Sequence, residues 1–400
     1  MYGWRLKHRC IGPIGLDIGQ AYVKAVQLGG DDRGLYVIDA QRARRSPRDS
    51  SPQSLSQLIR RIIQQGRFRG RQVVATLPSD GLRITSVRLT DTDLALAPQQ
   101  LYRDLAERYG LDLKQEMVRC IPAGYIHHGK QTKHEVILLA ANNEGINKRV
   151  HLLQDSGLTP VGLDPVACAL FRCYDRTMQR LEDRTQSLIY IDIGCQFTTV
   201  ILGRDHQLCF VKQLPRGANH LQQRMADTLG VDLNEVETLR SRVQQWITSC
   251  EQSGQNGFAD LYEPETGQAV GLDRSTQQLI RHAVTVAVQD LAQEIALCMR
   301  YYSVTFRGHR AQRVLLSGGL AGDRMLQHSL GEQLGIEVAA AHPLDLIHPR
   351  NQGRTFQQSS HTSQWAVAMG LSLKNWEQPP IKQAMTQKQR LVPAVPANQG

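Results

Sequence analysis

No stretch of this sequence approaches the ~18 consecutive apolar residues of a membrane-crossing helix, so a spanning segment is not expected. The basic opening MYGWRLKHRC has no apolar run behind it and does not read as a secretory signal. Cysteine is sparse, with eight residues and no C-x-x-C pair, which argues against a disulfide framework or a structural zinc site and fits a reducing cytosol. The two nearest, Cys168 and Cys173, fall in a helical pattern and read as buried filler. Aromatic residues make up 6% of the chain. None interleaves with basic residues in the pattern of a nucleic-acid surface, so no nucleic-acid partner is expected. No Ser/His/Asp set, no paired catalytic carboxylates and no cluster with metal-ligand spacing stands out, so no catalytic residue is assigned.

Acids are nearly missing from one segment. Nine arginines (42, 44, 45, 48, 60, 61, 67, 69 and 71) face a single acid, Asp49, between residues 42 and 71, which gives that stretch +8 of a formal net charge of +10. It reads first as a solvated basic face, and second as a surface drawn to anionic lipid. The 400 residues, 41% apolar and 21% charged, suit a soluble protein of two or more domains with ample core.

What the chain does have is one stretch written twice. IGLDIGQAYVKAVQL (Ile14 to Leu28) and IYIDIGCQFTTVILG (Ile189 to Gly203) are each an apolar strand ending in Asp-Ile-Gly, a tight turn, and a second strand. Asp17 matches Asp192 and Gly19 matches Gly194. Glycine at such a turn lets backbone approach a ligand closely, and successive N–H groups there form an anion-binding hollow. The adjacent Asp would repel a bare phosphate but suits a hydrated Mg2+, which takes one or two carboxylates plus phosphate oxygens. One copy alone is an ordinary hairpin. Two in the same register predict facing jaws around one metal–nucleotide complex.

Around these copies the pattern alternates between strands and amphipathic helices. Leu55, Leu58, Ile59, Ile62 and Ile63 form a helical stripe, followed by a buried strand at Val73–Leu77. After Pro78-Ser79-Asp80-Gly81 comes a compact strand–helix–strand–strand block, whose polar turn carries His127 and His128, read as solvated. Residues 143–156 are predicted helical, Asp164 is predicted to cap a helix opening at Pro165, and residues 175–186 read as a linker. The second copy leads to helices near 219, at 232–247 and from Ser275 to about Phe306, with a polar loop at 250–275 between the last two. Strand Arg313–Leu316 runs into Ser317-Gly318-Gly319 and another helix. Ser363–Leu373 closes the pattern as a small-residue helix suited to close packing. The glutamine- and proline-rich tail is expected to be disordered.

The order of hairpin, insert, hairpin, Gly-Gly turn and small-residue helix resembles the actin-like ATPase fold. GLDIG with Lys24 and Val26, ATLP, GLTPVGLDPVACAL, DIG with Thr198 and Thr199, LPRGANHL, RYY, VLLSGG and AVAMGLSLK together look like the PilM family of type IV pilus assembly proteins, relatives of the cell-division actin FtsA. The resemblance spans nearly everything from Ile11 to Lys374. It implies an α/β chain with a duplicated actin-like (ribonuclease H-like) ATPase fold and an inserted strand-helix-strand-strand subdomain. The implied organisation is domain I at 1–80 and 142–185, the insert at 81–141, domain II at 186–374 with 219–275 as its upper subdomain, and a tail at 375–400.

The resemblance further implies ATP with Mg2+ between the halves. Asp17, Gly19, Gln20 and Lys24 would form the first phosphate loop, and Asp192, Gly194, Thr198 and Thr199 the second, with Asp17 and Asp192 toward the metal. Gly217 would open the ribose side, and Gly318 and Gly319 would approach the adenosine. Glu237 and Arg240 match positions that such folds use around ribose and adenine, and they read equally as an exposed i, i+3 pair. The chain departs from the family where serine or threonine usually follows Asp-Ile-Gly, having Gln20, Ala21 and Tyr22 in the first copy and Cys195 and Gln196 in the second. Fewer hydroxyl donors imply weaker phosphate binding and little or no hydrolysis.

By the same resemblance the expected role is a cytoplasmic scaffold at the inner face of the membrane. It would hold the N-terminal peptide of a bitopic, PilN-like inner-membrane protein in a groove within residues 82–160, and the pilus motor ATPase would be a further partner. Two other classes stay in view: a small-molecule kinase of the same superfold, for which Asp80 and Asp164 are the candidate carboxylates, and an FtsA-like filament protein, which would need an amphipathic C-terminal helix that Pro379, Pro380, Pro393 and Pro396 oppose.

Overall fold

The computed structural model describes residues 10–31, 34–46, 49, 51–128, 131–175, 187–204, 206–253, 274–306, 311–347 and 362–374. The expected loop at 250–275 and linker at 175–186 lie largely outside these residues. So do the tail, on which the filament reading depends, and the side chains of His127 and His128.

The duplication seen in the sequence is a duplication of sheets. The first comprises β1 (Cys10–Ile18), β2 (Tyr22–Asp31), β3 (Gly34–Arg44), β4 (Gln72–Thr76) and β8 (Thr159–Asp164), in the order β3-β2-β1-β4-β8. The second comprises β9 (Ser187–Ile193), β10 (Thr198–Arg204), β11 (Gln207–Leu214), β12 (Ala311–Gly318) and β13 (Glu337–Ala340), in the matching order β11-β10-β9-β12-β13. In each, an antiparallel hairpin precedes two parallel strands. The central strands β1 and β9 are buried on both faces, which suits sequences that are mostly apolar and do not alternate with polar residues.

Between β4 and β8 the chain forms β5 (Leu82–Thr90), α2 (Asp91–Ala95), α3 (Pro98–Tyr109), β6 (Glu116–His128), β7 (Gln131–Asn142) and α4 (Asn143–Asp155). The strands order as β5-β7-β6, and the buried face of α3 packs on one side of them through Leu101, Tyr102 and Leu105. The other side meets β11 of the second sheet. There Glu135, 1% exposed, accepts hydrogen bonds from Tyr301 Oη (2.6 Å) and Arg88 Nε (3.1 Å). A carboxylate this deeply buried persists only when its oxygens are partnered.

On the first sheet, α1 (Pro52–Gln65) starts at Ser51, whose hydroxyl accepts from the Ser54 N–H, and it lays Leu58, Ile59, Ile62 and Ile63 on the core. The second half adds α6 (Ala218–Leu229), α7 (Leu233–Gln252), α8 (Arg274–Thr305) and α9 (Arg324–Leu334). Two helices join the halves. α5 (Val166–Asp175) and α10 (Ala366–Ser372) cross inside one apolar cluster with Val26 and Leu28 of β2, Tyr190 of β9, Leu315 of β12 and Ile137 of β7. The contact is backbone to backbone: a Cβ on Gly370 would lie 1.9 Å from the Ala169 carbonyl oxygen. α10 also rests on β1, where a Cβ on Gly15 would lie 2.0 Å from Ala368 O, and where the Ser372 hydroxyl donates to Pro13 O (2.8 Å).

Candidate functional site

The two Asp-Ile-Gly turns are the same structure. Gly19 N–H donates to Tyr22 O at 3.0 Å, and Gly194 N–H donates to Phe197 O at 3.0 Å. In both, an added Cβ would sit 3.0 Å from that acceptor. The register repeats as well, with Asp17 opposite Lys24 across β1 and β2, and Asp192 opposite Thr199 across β9 and β10. Both turns open onto one cleft of about 390 Å³, the size range of a small-molecule site.

Asp17, Gly19, Gln20 and Lys24 line the cleft from the first half. Asp192, Gly194 and Thr199 line it from the second, together with Glu237, Gly318 and Gly319. Gly318 sits at φ +94°, with the Ile193 carbonyl oxygen 2.4 Å from where a Cβ would be, so a side chain is excluded twice over. Gly319 has open space around it.

Three residues expected at the site lie off it. Thr198 is fully buried and its hydroxyl donates to Arg216 O. Adjacent strand residues point to opposite faces, so once Thr199 looks into the cleft Thr198 cannot. Gly217 is the cap of α6, and a Cβ there would come within 2.5 Å of both Gly194 O and Cys195 O. The first N–H groups of α6 donate to these same carbonyls, Ala218 N to Gly194 O at 2.7 Å and Asn219 N to Cys195 O at 3.0 Å. Gly217 therefore seats the second turn on a helix N-terminus and does not open a ribose pocket. Arg240 turns away from the cleft and pairs through Nε and Nη2 with Asp323, whose other oxygen caps α9 by accepting from Leu326 N at 3.0 Å. Of the i, i+3 pair only Glu237 reaches the cleft. Arg240→Ala is expected to lower stability to chemical denaturation by about 1–2 kcal/mol and to leave ligand affinity at the cleft unchanged, which an equilibrium unfolding curve and a binding titration would check.

The charges in the cleft are unequal. Lys24 Nζ lies 3.1 Å from Asp17 Oδ2. No side-chain hydrogen bond or ion pair joins the Asp192 carboxylate to a described residue, and burial pushes its carboxyl up to about 6, with Lys24 pulling it down and Asp17 pushing it further up. Two carboxylates facing one hollow, with no group of three His, Cys, Asp or Glu among the described residues placed to hold a metal by themselves, fit a cation that keeps most of its ligands as water and phosphate. Asp192 is the one that gains most from such a cation, since Asp17 already has Lys24.

Two basic residues of the site are not legible in the sequence. Arg45 belongs by composition to the solvated face, yet its Nη1 donates to Gly19 O at 2.9 Å and its N–H donates to Ala21 O at 2.7 Å, so it braces the first turn from behind. Arg149 of α4 lines the cleft beside Asp17 and Thr76. Neither has a signal in spacing or composition. Asp80 also lines the cleft. Asp164 does not, and its predicted cap role gives way to an ion-pair hub with Lys374 Nζ (2.7 Å) and Arg172 Nη2 (2.8 Å).

Residues 124–272 match the family described as "Type IV pilus assembly protein PilM", a span that includes the second Asp-Ile-Gly turn. Over a longer range, the chain superposes on a chain of a solved "PilM-PilN type IV pilus biogenesis complex" with a TM-score of 0.69 and 19% identity, covering 92% of this chain and 99% of that one. The chain resembles PilM proteins. Its fold is the actin-like ATPase fold, as the paired sheet orders and facing turns require. Other solved structures similar to this chain are a diol dehydratase-reactivating factor in nucleotide-free form (TM-score 0.50, 8% identity, covering 92% of this chain and 99% of that chain) and the ethanolamine utilization protein EutJ from Carboxydothermus hydrogenoformans (TM-score 0.49, 13% identity, 90% and 89%). Among the described residues, no helix is long and apolar enough to cross a membrane.

Proposed function

We propose that this protein is an ATP-binding cytoplasmic scaffold of a type IV pilus or type II secretion-like machine. It sits at the inner face of the cytoplasmic membrane and holds the N-terminal peptide of a single-pass, PilN-like inner-membrane partner. The observation that carries this reading is the likeness to the PilM–PilN complex chain over nearly the full length of both. The inserted block supplies a place for the peptide: β5 and β6 are the edges of their sheet, and an edge strand can accept an extended peptide as an added strand. Exposed Tyr109, Leu113 and Met117 follow one another from the end of α3 into β6 and offer apolar anchors along that edge. Seven arginines of the basic stretch (42, 44, 60, 61, 67, 69 and 71) are exposed, which suits an anionic lipid surface or the acidic face of a motor ATPase.

For the nucleotide, Asp17, Gly19, Gln20, Lys24, Asp192, Gly194 and Thr199 would surround the phosphates and the cation, with Glu237, Gly318 and Gly319 beside the adenosine. The bound Mg2+ would neutralise phosphate charge next to two carboxylates. Lys24 holds Asp17 in place, and the N-terminus of α6 fixes the second turn.

Calorimetric titration of the protein with the synthetic cytoplasmic N-terminus of the bitopic protein encoded beside it tests the scaffold reading. Saturable micromolar binding, lost on Met117→Asp, is the expected result, and absence of binding would refute it. A kinase reading has one observation in its favour, the presence of Asp80 in the cleft. Incubation with labelled ATP and candidate small-molecule acceptors is expected to give no phosphate transfer.

A further inference from the structure

One side chain in the cleft, Arg149, has no evident structural task. Its side chain is half-buried on the first-half side of the cleft, beside Asp17 and Thr76 at the end of β4. A guanidinium carries five N–H donors in a rigid fork. Among the described residues Arg149 makes one side-chain hydrogen bond, a long one of 3.5 Å to Thr76 Oγ1, and that oxygen already accepts from Ile18 N at 3.0 Å. The nearest carboxylate, Asp17, is engaged by Lys24 at 3.1 Å. Burial pulls Arg149 down to about 10, against the attraction of Asp17, so the protein leaves this charge poorly compensated.

A half-buried cation that lines a cavity with only one long hydrogen bond to the protein marks a place for an anion. Its position says which anion. Gly318, Asp192, Asp17 and Arg149 all line the cleft, and their neighbours order them: Gly318 pairs with Ile193 next to Asp192, Asp192 feels the charges of Lys24 and Asp17, and Asp17 attracts Arg149. A nucleotide with its adenosine against the glycine pair runs its phosphates toward Arg149. The first turn offers no serine or threonine side chain, having Gln20, Ala21 and Tyr22.

We infer that Arg149 is the residue that takes the terminal phosphate of a bound nucleoside triphosphate, so that it sets a preference for triphosphate over diphosphate. This rests on the nucleotide reading of the cleft given above. A bidentate fork on a phosphate does the work of the serine or threonine hydroxyls that the first turn lacks. The location also gives the contact a consequence: α4 follows directly on β7, the central strand of the inserted sheet, whose last residue, Asn142, caps the helix through its own side chain. A phosphate that draws in Arg149 thereby loads the element that leads straight into the peptide-binding block.

The test is calorimetric titration of the full chain with ATP and with ADP, at saturating Mg2+, for the parent protein, Arg149→Gln and Arg149→Lys. Arg149→Gln is expected to weaken ATP tenfold or more while ADP changes less than about twofold, with Arg149→Lys in between, because a charge-assisted fork is lost stepwise. The ligand-free melting temperature of Arg149→Gln should equal or exceed that of the parent, since a half-buried charge with little compensation has gone; a purely structural arginine would show a drop. Parent-like ATP affinity in Arg149→Gln would overturn the assignment and leave nucleotide binding standing. Equal losses for ATP and ADP would overturn the terminal-phosphate role. A parent protein that binds neither nucleotide at millimolar concentration would end the nucleotide reading and this inference together.

Discussion

Asp192→Asn should give a protein that is more stable than its parent at pH 7 and can no longer respond to Mg2+ and nucleotide. The Asp192 carboxyl is raised from the ordinary 3.8 to about 6 in the folded protein, with burial as the main cause. A raised carboxyl binds its proton more tightly folded than unfolded, so protonation favours the fold. That gain is complete below pH 4 and is lost as pH rises through 6. At pH 7 the ionised group therefore costs stability, about 1–3 kcal/mol once the tighter proton binding is converted to free energy and reduced for the open side of the cleft. Asparagine keeps the shape and removes the charge. Urea unfolding at pH 7 should show the gain, and a series from pH 7 to 5 should show the parent closing the gap while the variant stays flat over that component. A bound cation would reverse the order, since a ligand at a hundredfold its Kd adds about 2.7 kcal/mol to the protein that binds it. Equal stability of both proteins across the series would show that the carboxyl is not strained.

Gly370→Ala should destabilise the protein by about 3 kcal/mol or more, at the upper end of what one methyl costs in a packed core. The new Cβ would stand 1.9 Å from Ala169 O and 2.5 Å from Ala169 C, which are backbone atoms of α5. The helices would have to part, and with them Arg172, whose Nη1 donates to Gly370 O at 2.8 Å. Because the obstruction is main chain, Ala169→Gly should not rescue the variant. Chemical denaturation of the single and double variants would decide this, and recovery in the double variant would mean that the conflict lies between side chains.

Local grammar carries much of this architecture in the sequence. The repeated Asp-Ile-Gly, with its glycine shortly ahead of a β-branched strand, announces both turns, and in the structure they share even their Gly N–H to carbonyl bond. The small residues of AVAMGLSLK announce a close helix crossing, and Gly370 provides one. What sequence spacing cannot carry is direction at a distance. Thr198 and Thr199 look equivalent in a string, yet the pleat sends one to Arg216 O and the other to the cleft. Arg240 is read beside Glu237, yet its partner Asp323 is 83 residues away. Arg45 and Arg149 have functions only because a turn and a cleft are brought to them by the rest of the chain.

The seating of α10 on β1 has a consequence for how the protein is made. Ser372 and Pro13, joined by one hydrogen bond, are separated by 359 residues. At ribosomal speeds of ~5–20 residues per second, β1 waits roughly 20 to 70 seconds for the helix that covers it. Until then the first sheet is left with a bare apolar flank while the second is still being synthesised. The nascent amino-terminal half is therefore a natural client for chaperones, and contacts of such long range slow the final closure. Moving the end-proximal helix to the front by circular permutation would shorten that vulnerable interval.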